Sequence, residues 1–155
     1  MNTFTLTSPV APKNTRDLSA DSSPYAPASQ TAALLRSGAQ YRRSRIEAAD
    51  MISTDEASEL TGTNRVTINA WIKRGRAIGV EHLRRGYKLP QWQFEPEIFP
   101  LIQPIAKCLG TNEGWQLLDF LETPSPSLDG LTPRSALEQG VPGERILALA
   151  TAEAH

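Results

Sequence analysis

The stretch STDEASELTG has the pattern of a short helix whose start and end are both marked in the sequence. Ser53 and Glu56 have the spacing of a capping box, in which each side chain accepts a hydrogen bond from the other residue's backbone N–H. Ala57 and Leu60 then fall on one helical face. Gly62 is placed as the C-terminal stop, because glycine readily adopts the left-handed conformation that ends many helices.

The next stretch, TNRVTINAWIKRG, predicts a second short helix. Asn64 is suited to cap its N-terminus, the helical pattern runs from about Arg65 to Arg74, and Gly75 ends it. Apolar residues recur at intervals of three and four, which predicts one buried stripe. That stripe consists of Ile68, Trp71 and Ile72.

Two short helices joined by a tight turn that contains a glycine are typical of a helix-turn-helix. The opposite face of the second helix carries polar and basic residues. Arginine pairs with guanine and asparagine with adenine, and the N-terminal part of a recognition helix contacts the bases. We therefore expect base contacts early in this helix and phosphate contacts later. The DNA-binding residues predicted here are Asn64, Arg65, Thr67, Asn69, Lys73 and Arg74.

A β-hairpin, or wing, is predicted after the second helix. Apolar positions alternate through YKLPQWQF, where Tyr87 and Leu89 are followed, beyond Pro90, by Trp92 and Phe94. Pro90 has to lie at a sheet edge or at the end of a strand, since it lacks an N–H. The arginines of the tip, RRG, suit the phosphate backbone or the minor groove. The hairpin adds Arg84, Arg85 and Lys88 to the predicted DNA-binding set.

The C-terminal part of the chain is helical in pattern and predicts a small bundle. The segment PEIFPLIQPIAKCLG, interrupted by Pro100 and Pro104, predicts a kinked helix or two short ones. In TNEGWQLLDFLETP the apolar arc around Trp115 is unusually wide, so this helix is either central to the bundle or faces another chain. Thr132 and Pro142 precede two further short helices.

Charge divides the chain, although its net charge is only −1. Residues 41–94 carry ten Lys/Arg against six Asp/Glu, whereas residues 95–155 carry three against nine. A basic segment beside an acidic one indicates two partners of opposite character, one of them a polyanion. Residues 1–40 contain eleven Ser/Thr and four Pro, which predicts a disordered tail. We expect Arg42, Arg43 and Arg45 either to contact phosphates or to form a solvated charge cluster.

The single cysteine, Cys108, excludes an intramolecular disulfide, and a lone thiol fits a reducing cytoplasm. No apolar run is long enough to span a membrane. The N-terminus lacks the basic and apolar regions of a secretory signal. These features predict a cytoplasmic protein that does not contact the membrane.

The stretch DEASELTGTNRVTINAWIKRGRAIG, together with RRGYKLP, resembles the short winged helix-turn-helix of the MerR and excisionase type. The resemblance implies binding to double-stranded DNA. It also implies that Ile68 and Trp71 belong to the core, so that Trp71 does not stack on a base. The shared features are Glu56, Ala57, Gly62, Arg65, Thr67, Ile68, Trp71 and Gly75.

A second stretch, GWQLLDFLETPSPSLDGLTPRSALEQGVPGERILALA, resembles the toxin-binding domain of Xre/MbcA/ParS-type antitoxins. Members of that family usually carry an all-helical DNA reader, whereas the pattern here is a winged one. The matching features are Trp115, Phe120–Leu121, Pro124, Gly130, Thr132–Pro133, Ala136–Leu137, Gly140 and Arg145–Ala150.

This second resemblance implies a type II antitoxin. Such a protein neutralises a RES-domain toxin, of a family acting on NAD, by covering the entrance to the toxin's active site. It also forms a homodimer and binds its operator to repress its own operon. The implied toxin or dimer interface consists of Trp115, Leu118, Phe120, Arg145, Leu149, Glu153 and His155.

An enzyme is the class that the sequence least supports. His82 and His155 are its only histidines, and it contains no evident nucleophilic triad or phosphate-cradling glycine loop. Three functions remain open: a DNA-binding antitoxin, a stand-alone regulator or excisionase-like protein, and an adaptor whose helix-turn-helix no longer contacts DNA. No cofactor is expected. The predicted fold is mainly α, with a disordered tail (1–40), a winged helix-turn-helix (41–94) and a small helical bundle (95–155).

Overall fold

The structure is a computed structural model that describes residues 28–81 and 86–154. These residues are mainly helical with one small antiparallel sheet, which agrees with the predicted fold class at that level. In chain order the elements are α1 (Ala28–Ile46), β1 (Met51–Ser53), α2 (Thr54–Thr61), α3 (Arg65–Lys73), β2 (Val80–Glu81), β3 (Tyr87–Pro90), a 3-10 turn (Gln91–Phe94), α4 (Phe99–Leu109), α5 (Gly114–Glu122), a second 3-10 turn (Pro126–Leu128), α6 (Pro133–Glu138) and α7 (Gly143–Glu153).

The chain divides into two compact units, residues 1–44 and 45–155. In the first unit the described residues belong to α1, which begins at Ala28. This corrects the prediction of a disordered tail for residues 28–40. The reason is local, because that stretch is rich in alanine, leucine and glutamine, which have high helix propensity. The rest of the predicted tail, residues 1–27, lies outside the described residues.

The two capped helices predicted from the sequence are confirmed. The Ser53 hydroxyl accepts a hydrogen bond from the backbone N–H of Glu56, whose carboxylate accepts one from the backbone N–H of Ser53 at 2.8 Å. Gly62 ends α2 in the left-handed conformation, with φ of 74°. The Asn64 side-chain oxygen accepts from the backbone N–H of Thr67 at 2.9 Å and caps α3.

The sheet contains one strand more than the sequence predicted. The hairpin pairing of β2 with β3 is confirmed, and β1 pairs with the other edge of β3, so the strand order is β1-β3-β2. Pro90 ends β3 opposite Met51, which is one of the two positions predicted for it. The expected continuation of the strand through Trp92 and Phe94 is wrong, because these residues form a 3-10 turn. Proline cannot donate to the ladder, and after the following bond from the Gln91 N–H to the Asp50 carbonyl at 2.8 Å the chain turns into the 3-10 turn.

The C-terminal helices form the predicted small bundle. The segment with two prolines is a single helix, α4, which has Pro100 in its first turn and Pro104 in its interior. The Thr132 hydroxyl caps α6 by accepting a hydrogen bond from the backbone N–H of Ser135 at 3.0 Å. Helix α7 begins at Gly143 and packs along α4.

One hydrophobic core joins the segments that were predicted as separate domains. Its buried side chains include Val80 and Trp92 from the sheet region, and Leu117 and Ile146 from the bundle. The predicted boundary after residue 94 therefore falls inside the compact unit 45–155. A smaller second core lies between α2, α3 and the sheet, and consists of Ile52, Ala57, Ile68, Ile72, Ala77 and Leu89.

The extended segment that leads from α3 to β2 lies between these cores and is buried. The side-chain oxygen of Gln93 accepts a hydrogen bond from the backbone N–H of Ile78 at 2.7 Å, and its side-chain nitrogen donates to the Ile78 carbonyl at 2.8 Å. Gly114 lies directly against the carbonyl of Gly79, where any Cβ would overlap it. Glycine at this position allows α5 to begin against the extended segment.

Gln93→Leu should destabilise the fold, because it leaves both backbone groups of Ile78 buried and unpaired. We expect a loss of about 2–5 kcal/mol in the free energy of unfolding, measured by urea denaturation. The exposed neighbour Gln91 is the control, and Gln91→Leu should change stability by less than about 0.5 kcal/mol. Equal stability of the two variants would contradict a structural role for the Gln93 amide.

Candidate nucleic-acid interface

Helix α3 has one buried side and one exposed side. Ile68 and Ile72 are buried against α2 and the sheet, as the predicted stripe requires. The side chains that the sequence assigned to DNA lie outside this buried pair. Arg65, Lys73 and Arg74 are exposed, whereas Thr67 and Asn69 are half-buried. Asn64 is also exposed, and its side-chain oxygen is already used in capping α3.

A groove of about 510 Å³ joins the beginning of α3 to the hairpin. It brings together three residues of the predicted DNA-binding set, Arg65, Asn69 and Lys88, which come from α3 and β3. Lys73 and Arg74 lie at the other end of α3. The predicted tip residues, Arg84 and Arg85, lie outside the described residues. The remaining residues lining the groove are Ser53, Thr54, Asp55, Gly86 and Tyr87.

Two of the residues that line this groove, Asp55 and Arg65, form an ion pair. The Nε of Arg65 donates to Asp55 Oδ1 at 3.0 Å, and Nη2 donates to Oδ2 at 2.7 Å. Both side chains stay exposed, at 63% and 64% of their surface. Such an exposed pair contributes little to stability. It does, however, fix how the first side chain of α3 is oriented.

Sequence reasoning missed three residues of this surface. Val66 is 76% exposed beside Arg65, which is unusual for a large apolar side chain. Tyr87 lines the groove, although it was predicted only as an alternating strand residue. Asp55 was not predicted to contact Arg65. The position of Val66 away from the stripe of Ile68 was a signal available in the sequence, whereas the contact of Asp55 required the packing of α2 on α3.

Trp71 lies on the far side of α3 and packs within the protein. Its ring is tilted against Phe99 with centroids 5.4 Å apart, and the Arg76 guanidinium lies 4.8 Å from the Trp71 centroid. Trp71, Trp92, Phe94 and Phe99 line a second groove of about 620 Å³. Trp71 therefore anchors α3 to the first residue of α4, but it is only half-buried, so the predicted buried stripe is complete only at Ile68 and Ile72.

The predicted toxin or dimer interface is partly buried within this chain. Leu118 and Phe120 are 1% and 5% exposed and belong to the core, so they offer a partner almost no surface. Helix α5 is thus central to the bundle, which was one of the two alternatives for its wide apolar arc. Trp115 and Leu149 are half-buried against the core. Arg145 and Glu153 are exposed, and His155 lies outside the described residues.

Arg45 is not placed as a free phosphate contact. Its guanidinium donates hydrogen bonds to both carboxylate oxygens of Asp50 at 2.8 Å. It also donates to both carboxylate oxygens of Glu122, at 3.0 Å to Oε1 and 2.6 Å to Oε2. Burial raises the pKa of Asp50, but the hydrogen bonds and charge of Arg45, with a hydrogen bond from Trp92, outweigh it and leave the pKa below its ordinary value. Hydrogen bonds to Glu122 and to Asp50, with the negative charges of these carboxylates, raise the pKa of Arg45 above its ordinary value. This cluster therefore has a structural role.

No family model, curated protein or solved structure matches the chain. Within residues 28–81 and 86–154, no three His, Cys, Asp or Glu side chains are grouped to hold a metal ion. None of the helices in this part of the chain has the length and apolar character required to cross a membrane.

Asp50→Asn should lower the midpoint of urea denaturation near neutral pH, because it removes a carboxylate paired with Arg45. The lowered pKa of Asp50 means that its contribution is complete above the unfolded-state pKa of about 3.9 and is lost as the pH falls through the folded-state value. The difference between wild type and variant should therefore narrow below about pH 4. Asp119→Asn, at an exposed carboxylate of α5, is the control, and a gap for Asp50→Asn that is independent of pH would contradict the assignment.

Proposed function

We propose that residues 51–90 form a winged helix-turn-helix that binds double-stranded DNA with α3 in the major groove. The observation that carries the proposal is the side of α3 outside the core, where Arg65 and Val66 are exposed in the first turn and the half-buried Asn69 follows one turn later. The antiparallel pair β2–β3 follows α3, as a wing does. The major groove is wide enough to admit one α-helix.

Each side chain of this surface has a chemical role in the proposal. Arg65 pairs with guanine, Asn69 with adenine, and Val66 contacts a thymine methyl group. Lys73 and Arg74 lie one to two turns further along the helix, where phosphates are the nearer partners. Lys88 on β3, and the predicted tip residues Arg84 and Arg85, add phosphate contacts. The homodimer belongs to the proposal, since one short module buries too little surface for tight specific binding.

The acidic half carries the second part of the proposal, which is that the chain is an antitoxin. In the cytoplasm, a RES-domain toxin binds the C-terminal helices of the antitoxin. The DNA-binding module represses the operon that encodes both proteins. The resemblance of residues 114–150 to the toxin-binding domain supports this role, as does the excess of negative charge after residue 94. Arg145 and Glu153 on α7 remain accessible to a partner.

A stand-alone regulator is the second candidate. It is favoured by the burial of Leu118 and Phe120 in the core that also contains Val80 and Trp92 of the sheet region. A bundle of this kind has a structural task even without a partner. Capture of a toxin separates the two candidates, whereas DNA binding is common to both.

Arg65→Ala should weaken binding to the preferred DNA site by about 1–3 kcal/mol and relax the preference at one base pair. The preferred site is selected from a randomised duplex library, and affinities are measured by fluorescence anisotropy. Lys73→Ala should instead weaken all duplexes alike and reduce the slope of log affinity against log salt by about 0.9. Lys107→Ala, at an exposed lysine of α4, is the control and should bind as wild type.

Failure of any duplex to be enriched would remove the DNA-binding proposal. Wild-type affinity in both Arg65→Ala and Lys73→Ala would assign the DNA contact to another surface. Neither substitution should disturb the fold, because the side chains of Arg65 and Lys73 are exposed.

Purification of the tagged chain from its native cells should recover a RES-domain toxin in near-stoichiometric amount. Glu153→Arg, which reverses a charge at the exposed end of α7, should reduce this recovery, because the resemblance places that end nearest the toxin. Glu144→Arg reverses an exposed charge at the other end of α7 and should retain the toxin. Recovery of DNA without a protein partner would instead favour the stand-alone regulator.

A further inference from the structure

The ion pair between Asp55 and Arg65 has a specific geometry. Asp55 lies in the first turn of α2, and Arg65 is the first residue of α3. The carboxylate accepts from Nε and from Nη2, so it occupies the lateral edge of the guanidinium. Two bonds to one planar group fix both its position and the orientation of its plane.

The distal edge of the Arg65 guanidinium is left for a ligand. Arginine has five N–H donors, and Asp55 takes one from Nε and one from Nη2. The end of the group, formed by Nη1 and Nη2, therefore keeps its outward-directed donors. Guanine offers two adjacent acceptors, O6 and N7, which a bidentate arginine contacts. The fork that remains on Arg65 matches that pair of acceptors.

We propose that Asp55 is a positioning residue that sets the specificity of the DNA reader by holding Arg65 with its outer edge directed at a guanine. This inference rests on the proposed DNA-binding function and names a residue that the function did not include. Asp55 acts through Arg65 and makes no base contact of its own.

The negative charge of Asp55 has a second effect, which is to lower the affinity for DNA of any sequence. A carboxylate on the DNA-facing surface repels phosphates, and it also keeps the Arg65 guanidinium from moving to a phosphate. Phosphate contacts supply nearly all of the sequence-independent affinity for DNA. Asp55 therefore weakens binding to random duplexes while it strengthens discrimination at one base pair. A residue with a purely structural role would change both affinities in the same direction.

The test uses Asp55→Asn, which keeps the size of the side chain and removes its charge. Affinities are measured for the selected site, for that site with its Arg65-dependent guanine–cytosine pair changed to adenine–thymine, and for a random duplex. Glu59→Gln is the matched control, because Glu59 is an exposed carboxylate of the same helix, one turn after Asp55. The Arg65→Ala variant and the double variant complete a mutant cycle.

Asp55→Asn should reduce discrimination between the first two duplexes by about 3- to 10-fold, a part of what a bidentate arginine–guanine contact provides. Its affinity for the random duplex should rise, with a slope of log affinity against log salt that is steeper by about 0.9. Glu59→Gln should leave discrimination unchanged. In the Arg65→Ala background, Asp55→Asn should no longer alter discrimination.

The inference is overturned if Asp55→Asn discriminates as well as wild type, or if its loss of discrimination persists without Arg65. In both cases wild type still selects a site, so the proposed DNA-binding function stands. A wild-type protein that selects no site removes the function and this inference together.

Discussion

The buried segment between α3 and β2 is the constraint on which the rest of the structure depends. Its backbone lies away from water, and buried N–H and C=O groups have to be paired. The Gln93 side chain pairs both groups of Ile78, as a neighbouring strand would. On the other side Gly114 allows α5 to approach the Gly79 carbonyl. Consequently, the helices of the acidic half and the short helices α2 and α3 form one unit.

This arrangement gives the two helices of the proposed reader a support that they lack by themselves. Helices as short as α2 and α3 are marginal in isolation, so most of their stability has to come from packing. Ile68 and Ile72 provide that packing on one side, and the contact of Trp71 with Phe99 extends it to the bundle. A partner on the bundle and DNA on α3 would therefore engage the same folded unit.

The low net charge of the chain affects how such a reader achieves binding. Sequence-independent affinity for DNA comes from phosphate contacts, and a chain with a net charge of −1 has a weak overall attraction to a polyanion. In the proposed function, base contacts at the beginning of α3 would then supply a larger share of the affinity. The pairing of Arg65 with Asp55 fits that situation, because it favours a defined contact over a diffuse one.

The sequence by itself determined the features that depend on neighbours within a few residues. The cap at Ser53, the cap at Asn64 and the stop at Gly62 were predicted because each is formed by groups three or four positions apart. The order of short helices and the hairpin pairing followed from the same local signals. The face of α3 was also predictable, since its stripe follows from helical period alone.

Only the tertiary structure decided which distant segments meet. The pairing of β1 with β3, the bonds from Arg45 to Glu122 and the pairing of Asp55 with Arg65 all join residues whose separation has no periodic signature. The same holds for the burial of Leu118 and Phe120, because a wide apolar arc is equally suited to a core and to an interface. The sequence indicates that such an apolar surface is buried, and the packing of the chain determines whether its own core or a partner buries it.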